Sequence, residues 1–134
     1  MRILAQETLQ VRKSHDMIMV RQRARELAVK LGFSLVNQTK LVTAVSELAR
    51  NMLDWGGGGI VRIEVLNSGD RQGLRLTFED RGPGIADLEL AMKDGYSGGA
   101  GLGLGLGGAK RLVDEFEITS KPGKGTRVSI TRWK

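Results

Sequence analysis

Glu47 and Asn51 lie four residues apart, so in a helix their side chains would share one edge, one turn apart. A carboxylate at that position could accept a proton from water or a hydroxyl group. An amide oxygen one turn away could bind Mg²⁺, which prefers oxygen ligands and bridges nucleotide phosphates. By itself, the pair is more typical of a solvated glutamate and a helix-interior asparagine.

A second candidate group follows a hydrophobic strand pattern, where Asp80 precedes Gly82 and Gly84. This placement would aim one carboxylate into a cleft, while the glycines let the backbone approach a planar ligand closely. The carboxylate could accept a hydrogen bond from the amino group of adenine. Taken alone, the motif is more typical of a simple Asp-x-Gly turn.

The third feature is a glycine-rich run over residues 98–107, interrupted by Leu102, Leu104 and Leu106. Backbone N–H groups of such a run can surround phosphate oxygens, and a helix predicted after it would add its positive dipole end. A mobile surface loop is the alternative interpretation. Flexible linkers share the glycine content but not the regular leucines, so the run favours a phosphate site.

Composition removes several classes of chemistry. The chain of 134 residues has no cysteine and one histidine, His15, which excludes disulfides, thiolate zinc sites and cysteine nucleophiles and disfavours a serine triad. With 40% hydrophobic and 27% charged residues, it is expected to form a single globular domain over 1–134. Carboxylates and backbone groups remain for function.

The formal charge of +6 would attract nucleic acid, anionic membranes, acidic proteins or nucleotide phosphates. The basic residues are dispersed and no aromatic platform for single strands is visible, so we expect no nucleic-acid binding. No apolar run approaches the ~20 residues of a membrane span, which predicts a cytoplasmic protein without a membrane role. Arg50, Lys110 and Arg111 are interpreted as solvated and are left outside the candidate site.

Hydrophobic periodicity predicts two long helices, one from Ser14 or Asp16 to Leu31 and one from Ser34 to about Trp55. In the first helix, the apolar positions that mostly recur at helical spacing are Ile18, Ala24, Leu27, Ala28 and Leu31. In the second helix, the predicted buried stripe is Leu41, Ala44, Val45, Leu48 and Met52. Later segments alternate as strands. The predicted elements are an edge strand 7–13, hairpins 60–65/74–79 and 116–120/126–131, and short helices 88–93 and 106–114.

This order predicts an α+β two-layer sandwich, with a mixed or antiparallel sheet and helices on one face. The four motifs, including Gly123-Lys124-Gly125-Thr126, occur in an order that resembles the Bergerat ATP site of the GHKL superfamily. Within it, the stretches 43–51, 94–99 and 108–116 are similar to the RsbT-type serine/threonine switch kinases. Anti-sigma kinases typically place a histidine shortly after the metal-binding asparagine, whereas this chain has Met52-Leu53-Asp54-Trp55.

The resemblance implies a role for each candidate residue. Glu47 would be the catalytic base, Asn51 the Mg²⁺ ligand and Asp80 the adenine reader, with Gly82, Gly84 and Thr126 shaping the base pocket. A short lid would span 96–100. The implied phosphate-side residues are Gly99, Gly101, Leu102, Gly103, Leu104 and Gly105.

The resemblance further implies ATP and Mg²⁺ as cofactors and partner switching as the biological role. Substrates would be STAS-domain proteins of the RsbS and RsbR type in a bacterial stress module, and the released kinase would activate a metal-dependent phosphatase of the RsbU type. Two alternatives stay open. One is an anti-sigma factor kinase that sequesters a sigma subunit, and the other is a non-catalytic adaptor that binds nucleotide only as a conformational ligand.

Overall fold

The computed structural model describes residues 1–85, 92 and 105–134. Within these ranges, five strands form one sheet that packs against three helices. The strands are β1 (Arg2–Val11), β2 (Gly59–Ser68), β3 (Arg71–Asp80), β4 (Glu115–Ser120) and β5 (Thr126–Trp133). The helices are α1 (Ser14–Leu31), α2 (Leu35–Gly56) and α3 (Gly105–Arg111).

The strand order is β1-β2-β3-β5-β4, and every neighbouring pair is antiparallel. Register places Asp80, at the end of β3, opposite Gly59 on one side and Thr126 on the other. Thr126 in turn pairs with Ser120 of β4. The sheet therefore brings Ser120, Thr126 and Asp80 into one row at the same end.

Local signals set both long helices. Asp16 begins α1 by accepting hydrogen bonds from the backbone N–H groups of Arg12 (2.9 Å) and Lys13 (3.2 Å), and left-handed Gly32 ends it. Ser34 caps α2 through a hydrogen bond from the Asn37 N–H at 3.1 Å. The start of α1, its end before Gly32 and the Ser34 cap of α2 agree with the prediction.

The core lies between the helices and one face of the sheet. All five positions predicted for α2 are buried. Of the five apolar positions noted in α1, three are buried, Leu31 is partly buried and Ile18 is 41% exposed, with Val20 buried in its place. Ile18 lies in the first turns of the helix, where the periodic pattern had few neighbours to fix its phase.

The opposite face of the sheet carries a polar ladder with one nearly buried ion pair. Arg75 donates to both carboxylate oxygens of Glu64, from Nε to Oε1 at 2.9 Å and from the second guanidinium nitrogen to Oε2 at 3.2 Å. These bonds raise the pKa of the Arg75 guanidinium. The bidentate geometry satisfies a carboxylate that is only 8% exposed.

The α+β sandwich prediction is confirmed, with the sheet fully antiparallel. Strand β1 begins at Arg2, whereas the sequence pattern predicted a start at residue 7. A register shift between Ile3 and Ala5 interrupts the alternation on which that prediction depended. The helix predicted over 106–114 corresponds to α3, which ends at Arg111. Asp114 is outside the helix, and its N–H donates to the Thr131 carbonyl. The helix predicted over 88–93 lies outside the described residues. No described helix is both long and apolar enough to cross a membrane.

Candidate nucleotide-binding site

Asp80 is held by backbone groups on two sides. Its Oδ1 accepts hydrogen bonds from the N–H of Gly82 at 2.9 Å and from the N–H of Thr126 at 3.2 Å. These bonds leave Oδ2 as the carboxylate oxygen without a bond to the described residues. The arrangement fixes the carboxylate and presents an acceptor, as the adenine-reading role requires.

The glycines around Asp80 allow backbone to meet backbone. A methyl group on Gly82 would lie 2.5 Å from the Gly56 Cα, so the loop after β3 presses against the end of α2. Gly84 adopts φ +76°, and a methyl group there would lie 2.1 Å from the Lys121 carbonyl. Both glycines thus position the Asp80 loop between α2 and the β4–β5 turn.

Thr126 belongs to a hydrogen-bonded group centred on Ser120. The two hydroxyl oxygens are 2.8 Å apart. Ser120 Oγ also accepts from the Ile85 N–H at 2.8 Å and donates to the Gly125 carbonyl at 3.0 Å. Ser120 therefore connects the loop after Asp80 to the hairpin that carries Thr126, and Ser120 was not among the site residues predicted from the sequence.

Glu47 and Asn51 share one edge of the C-terminal half of α2, beside the buried Leu48 and Met52. Both side chains are partly buried, and neither makes a hydrogen bond to another described residue. Gly56 lies against the Asp80 carboxylate. With a rise of about 1.5 Å per residue, Asn51 lies about 8 Å and Glu47 about 13 Å along the axis from Gly56.

Trp55 lies one turn after Asn51 on the same face of α2, and its side chain is 48% exposed. It directly precedes Gly56, the residue of α2 that contacts Asp80. Trp55 was not among the site residues predicted from the sequence. Its spacing from Glu47 and Asn51, four residues each time, is the signal that could have included it.

On the phosphate side, Gly105 begins α3 and is buried. The other residues predicted for this side, Gly99, Gly101, Leu102, Gly103 and Leu104, lie outside the described residues, as does the predicted lid over 96–100. Helix α3 packs against α2. The chain thus returns to the helix of Asn51 at the point where the glycine-rich run ends.

A magnesium ion fits the donors that α2 offers. Asn51 provides an amide oxygen, the carboxylate of Glu47 lies one turn away, and Mg²⁺ is commonly bound by one or two protein oxygens together with substrate phosphates. The described residues contain no cluster of three or more His, Cys, Asp or Glu side chains that could hold a metal ion.

Comparison with known families decides the classification. The model of the histidine kinase-, DNA gyrase B- and HSP90-like ATPases matches residues 36–134, from α2 to the end of the chain. The chain belongs to this ATPase family. The match includes every candidate site residue, and the predicted superfamily resemblance is confirmed.

Two curated relatives of this ATPase are similar over most of their length. It is 41% identical over 128 residues to the serine/threonine-protein kinase RsbT of Bacillus subtilis, covering 96% of both chains. It is 30% identical over 127 residues to the anti-sigma F factor of a Thermoanaerobacter species, covering 90% of this chain and 87% of the relative.

Solved structures show the same fold. The RsbU and RsbW domains of a Mycobacterium tuberculosis protein align with a TM-score of 0.64 and 22% identity over 97% of this ATPase, which spans 32% of that longer chain. A chain of the SiaB–SiaC complex from Pseudomonas aeruginosa aligns with a TM-score of 0.55 and 14% identity, covering 99% of this ATPase and 91% of that chain.

Proposed function

We propose that this ATPase is a Mg²⁺-dependent serine/threonine protein kinase of a bacterial partner-switching module. The observation that carries the proposal is the 41% identity to RsbT, which extends over 96% of this chain and 96% of the relative. Use of ATP is supported by membership of the ATPase family. An ATP-dependent kinase acts where ATP is available, so the proposed location is the cytoplasm.

The order of residues along α2 supports this chemistry. A nucleotide whose base meets Asp80 near Gly56 would extend its phosphates toward Asn51 and then Glu47, because these residues follow one another along the helix. Asn51 would hold the magnesium ion together with phosphate oxygens. When bound, the ion neutralises charge on the phosphates.

In the proposed reaction, the hydroxyl oxygen of a serine or threonine on a docked protein attacks the γ-phosphorus of ATP in line. The new O–P bond forms as the bond from the γ-phosphorus to the bridging oxygen breaks, and ADP leaves. Glu47 orients the hydroxyl group and accepts its proton. This chain needs no nucleophile of its own, since positioning supplies most of the catalysis.

The proposed acceptors are STAS-domain proteins of the RsbS and RsbR type. Phosphorylation would add negative charge at their interface with the kinase and weaken it. The released kinase would then activate an RsbU-type phosphatase. The wider setting in a stress-signalling complex belongs to the same proposal.

A phosphotransfer assay tests the proposal. Purified kinase, labelled ATP and Mg²⁺ are incubated with a STAS-domain protein from the same genome, and mass spectrometry locates the phosphate. We expect one labelled serine or threonine on the STAS protein and no label without Mg²⁺. Absence of transfer to any STAS protein of that genome would contradict the assignment.

A second candidate function is an anti-sigma factor, favoured by the 30% identity to the anti-sigma F factor. Under this alternative, this ATPase would bind a sigma subunit directly and phosphorylate the antagonist that displaces it. Co-purification separates the two candidates, because a switch kinase retains a STAS protein and an anti-sigma factor retains a sigma subunit.

A further inference from the structure

Three hydroxyl or carboxylate side chains form a row across the end of the sheet. Ser120 pairs with Thr126 in the β4–β5 register, and Thr126 pairs with Asp80 in the β5–β3 register. Ser120 lies farthest from Asp80 and contacts it only through Thr126. The Ser120 hydroxyl group can therefore act on the proposed adenine site only through Thr126.

The hydrogen atoms of the row can be assigned from the contacts. Ser120 Oγ has three partners: the Ile85 N–H at 2.8 Å, the Gly125 carbonyl at 3.0 Å and the Thr126 hydroxyl at 2.8 Å. A hydroxyl group has one hydrogen and two lone pairs, and a carbonyl can only accept. All three contacts are satisfied together only when Ser120 donates to Gly125 and accepts from Ile85 and Thr126.

This assignment determines what Thr126 can offer to a ligand. The Thr126 hydroxyl group donates its single hydrogen to Ser120, so its oxygen can offer a ligand only lone pairs. Asp80 Oδ1 accepts two backbone N–H groups, at 2.9 Å and 3.2 Å, and its Oδ2 can also only accept. The proposed base site would therefore offer two neighbouring acceptors, and no side-chain hydroxyl donor from this row.

A carboxylate alone does not separate adenine from guanine. It can accept from the 6-amino group of adenine, but it can equally accept from the N1–H and 2-amino groups of guanine. A guanine placed in this way would turn its O6 carbonyl toward the neighbouring hydroxyl. Two acceptors facing each other are unfavourable, whereas the adenine amino group has hydrogens for Asp80 and, directly or through a water molecule, for Thr126.

We propose that Ser120 is a positioning residue that keeps the Thr126 hydroxyl an acceptor and thereby sets the preference for adenine over guanine nucleotides. The inference rests on the proposed nucleotide function. Replacing Ser120 by alanine would free the Thr126 hydrogen, which could then donate to guanine O6. Affinity for ATP falls and affinity for GTP rises.

The test is the ratio of the dissociation constants for GTP and ATP, measured by calorimetry with Mg²⁺. We expect wild type to favour ATP and Ser120→Ala to reduce the ratio about tenfold, the combined effect of one lost and one gained hydrogen bond. Ser120→Thr, which keeps the hydroxyl, should restore the ratio. Ser129→Ala is the matched control, because its hydroxyl contacts Thr77 at 3.3 Å on the opposite face of the sheet.

A purely structural role for Ser120 predicts a different result. Losing the Ile85 and Gly125 contacts would loosen the loop and weaken ATP and GTP equally, leaving the ratio unchanged, and that outcome would overturn the inference. Thr126→Val is a second test if Ser120→Ala folds poorly. This variant keeps the Ser120 contacts to Ile85 and Gly125, and it should lower the affinity for ATP without raising the affinity for GTP.

The inference and the proposed function fail in distinguishable ways. If wild type binds neither nucleotide, both are wrong. If wild type binds ATP and GTP equally, or if Thr126→Val leaves the ratio at its wild-type value, only the role of Ser120 is wrong. If ATP binds with the expected selectivity but no protein is phosphorylated, only the kinase assignment is wrong.

Discussion

The Asp80 carboxylate lies against the backbone of Gly56, where even a methyl group would come within 2.3 Å of the Asp80 Cγ. The contact joins the end of β3 to the end of α2. It therefore couples the residue proposed to read the base to the helix that carries Asn51 and Glu47. A change at Gly56 should disturb nucleotide binding through Asp80, although Gly56 itself is not among the predicted site residues.

Gly56→Ala should lower ATP affinity about tenfold, because the added methyl displaces the Asp80 carboxylate and weakens one charge-assisted hydrogen bond. Calorimetry with Mg²⁺-ATP measures the effect. Gly73→Ala is the matched control, since its methyl would lie 2.7 Å from the Trp133 ring on the opposite face of the sheet. We expect that control to lose stability and keep its ATP affinity; equal losses in both variants would contradict the coupling.

Asp80→Asn should reduce ATP affinity about tenfold or more while leaving the melting temperature nearly unchanged. The amide oxygen can still accept from the Gly82 and Thr126 N–H groups. The amide nitrogen at the other position donates, so it cannot accept from the adenine amino group. Thermal unfolding and calorimetry on the same sample separate the two effects, and a folded variant with wild-type affinity would remove Asp80 from the base site.

Glu47→Gln should keep ATP affinity and lose phosphotransfer by about 10²- to 10⁴-fold, the usual contribution of a positioned general base. Asn51→Ala should instead weaken binding of ATP specifically in the presence of Mg²⁺. Glu117→Gln, an exposed position on β4, is the control. If Glu47→Gln transfers phosphate at the wild-type rate, the catalytic role of Glu47 is wrong. If the wild-type protein binds its partners but never phosphorylates them, the result supports the non-catalytic adaptor alternative.

Glu64→Gln should lower the free energy of unfolding by about 1–3 kcal/mol, because Arg75 would lose its charged partner in a partly buried setting. Urea denaturation measures the change. Glu79→Gln is the control on the same face, since the Glu79–Arg127 pair is exposed, with an Nε to Oε1 distance of 3.3 Å, and should matter by less than about 1 kcal/mol. Equal effects would show that burial is not the cause.

The cap formed by Asp16 makes stability depend on acid pH. Hydrogen bonding from the Arg12 N–H lowers the pKa of Asp16 from its usual value, so the folded state favours the carboxylate. The contribution of the Asp16 carboxylate to folding stability is complete above the ordinary aspartate pKa of about 3.9. It is lost as the pH falls through the lowered pKa of the folded state. Asp16→Asn should thus melt below wild type at pH 7, and the difference should shrink toward pH 2. Asp70→Asn, in the exposed β2–β3 turn, should show no such convergence.

Local sequence was sufficient for α1, α2 and the two hairpins. Ser34 and Gly32 act on neighbouring backbone groups, and the alternation in β2 and β3 is a short-range pattern, so these elements follow from the chain itself. The bulge between Ile3 and Ala5 shows the limit. It depends on pairing with a distant strand, which no local pattern contains.

The order of the amino acids is enough to establish which groups the candidate site contains: a carboxylate and an amide one turn apart on a helix, and an aspartate at a strand end before glycines. The contacts around these groups depend on how the chain folds. Gly56 against Asp80 and Ser120 against Thr126 are contacts between segments separated along the chain, and they form because antiparallel register and helix packing bring those backbones together. The direction of the Ser120–Thr126 hydrogen bond then follows from the other two partners of Ser120, the Ile85 N–H and the Gly125 carbonyl.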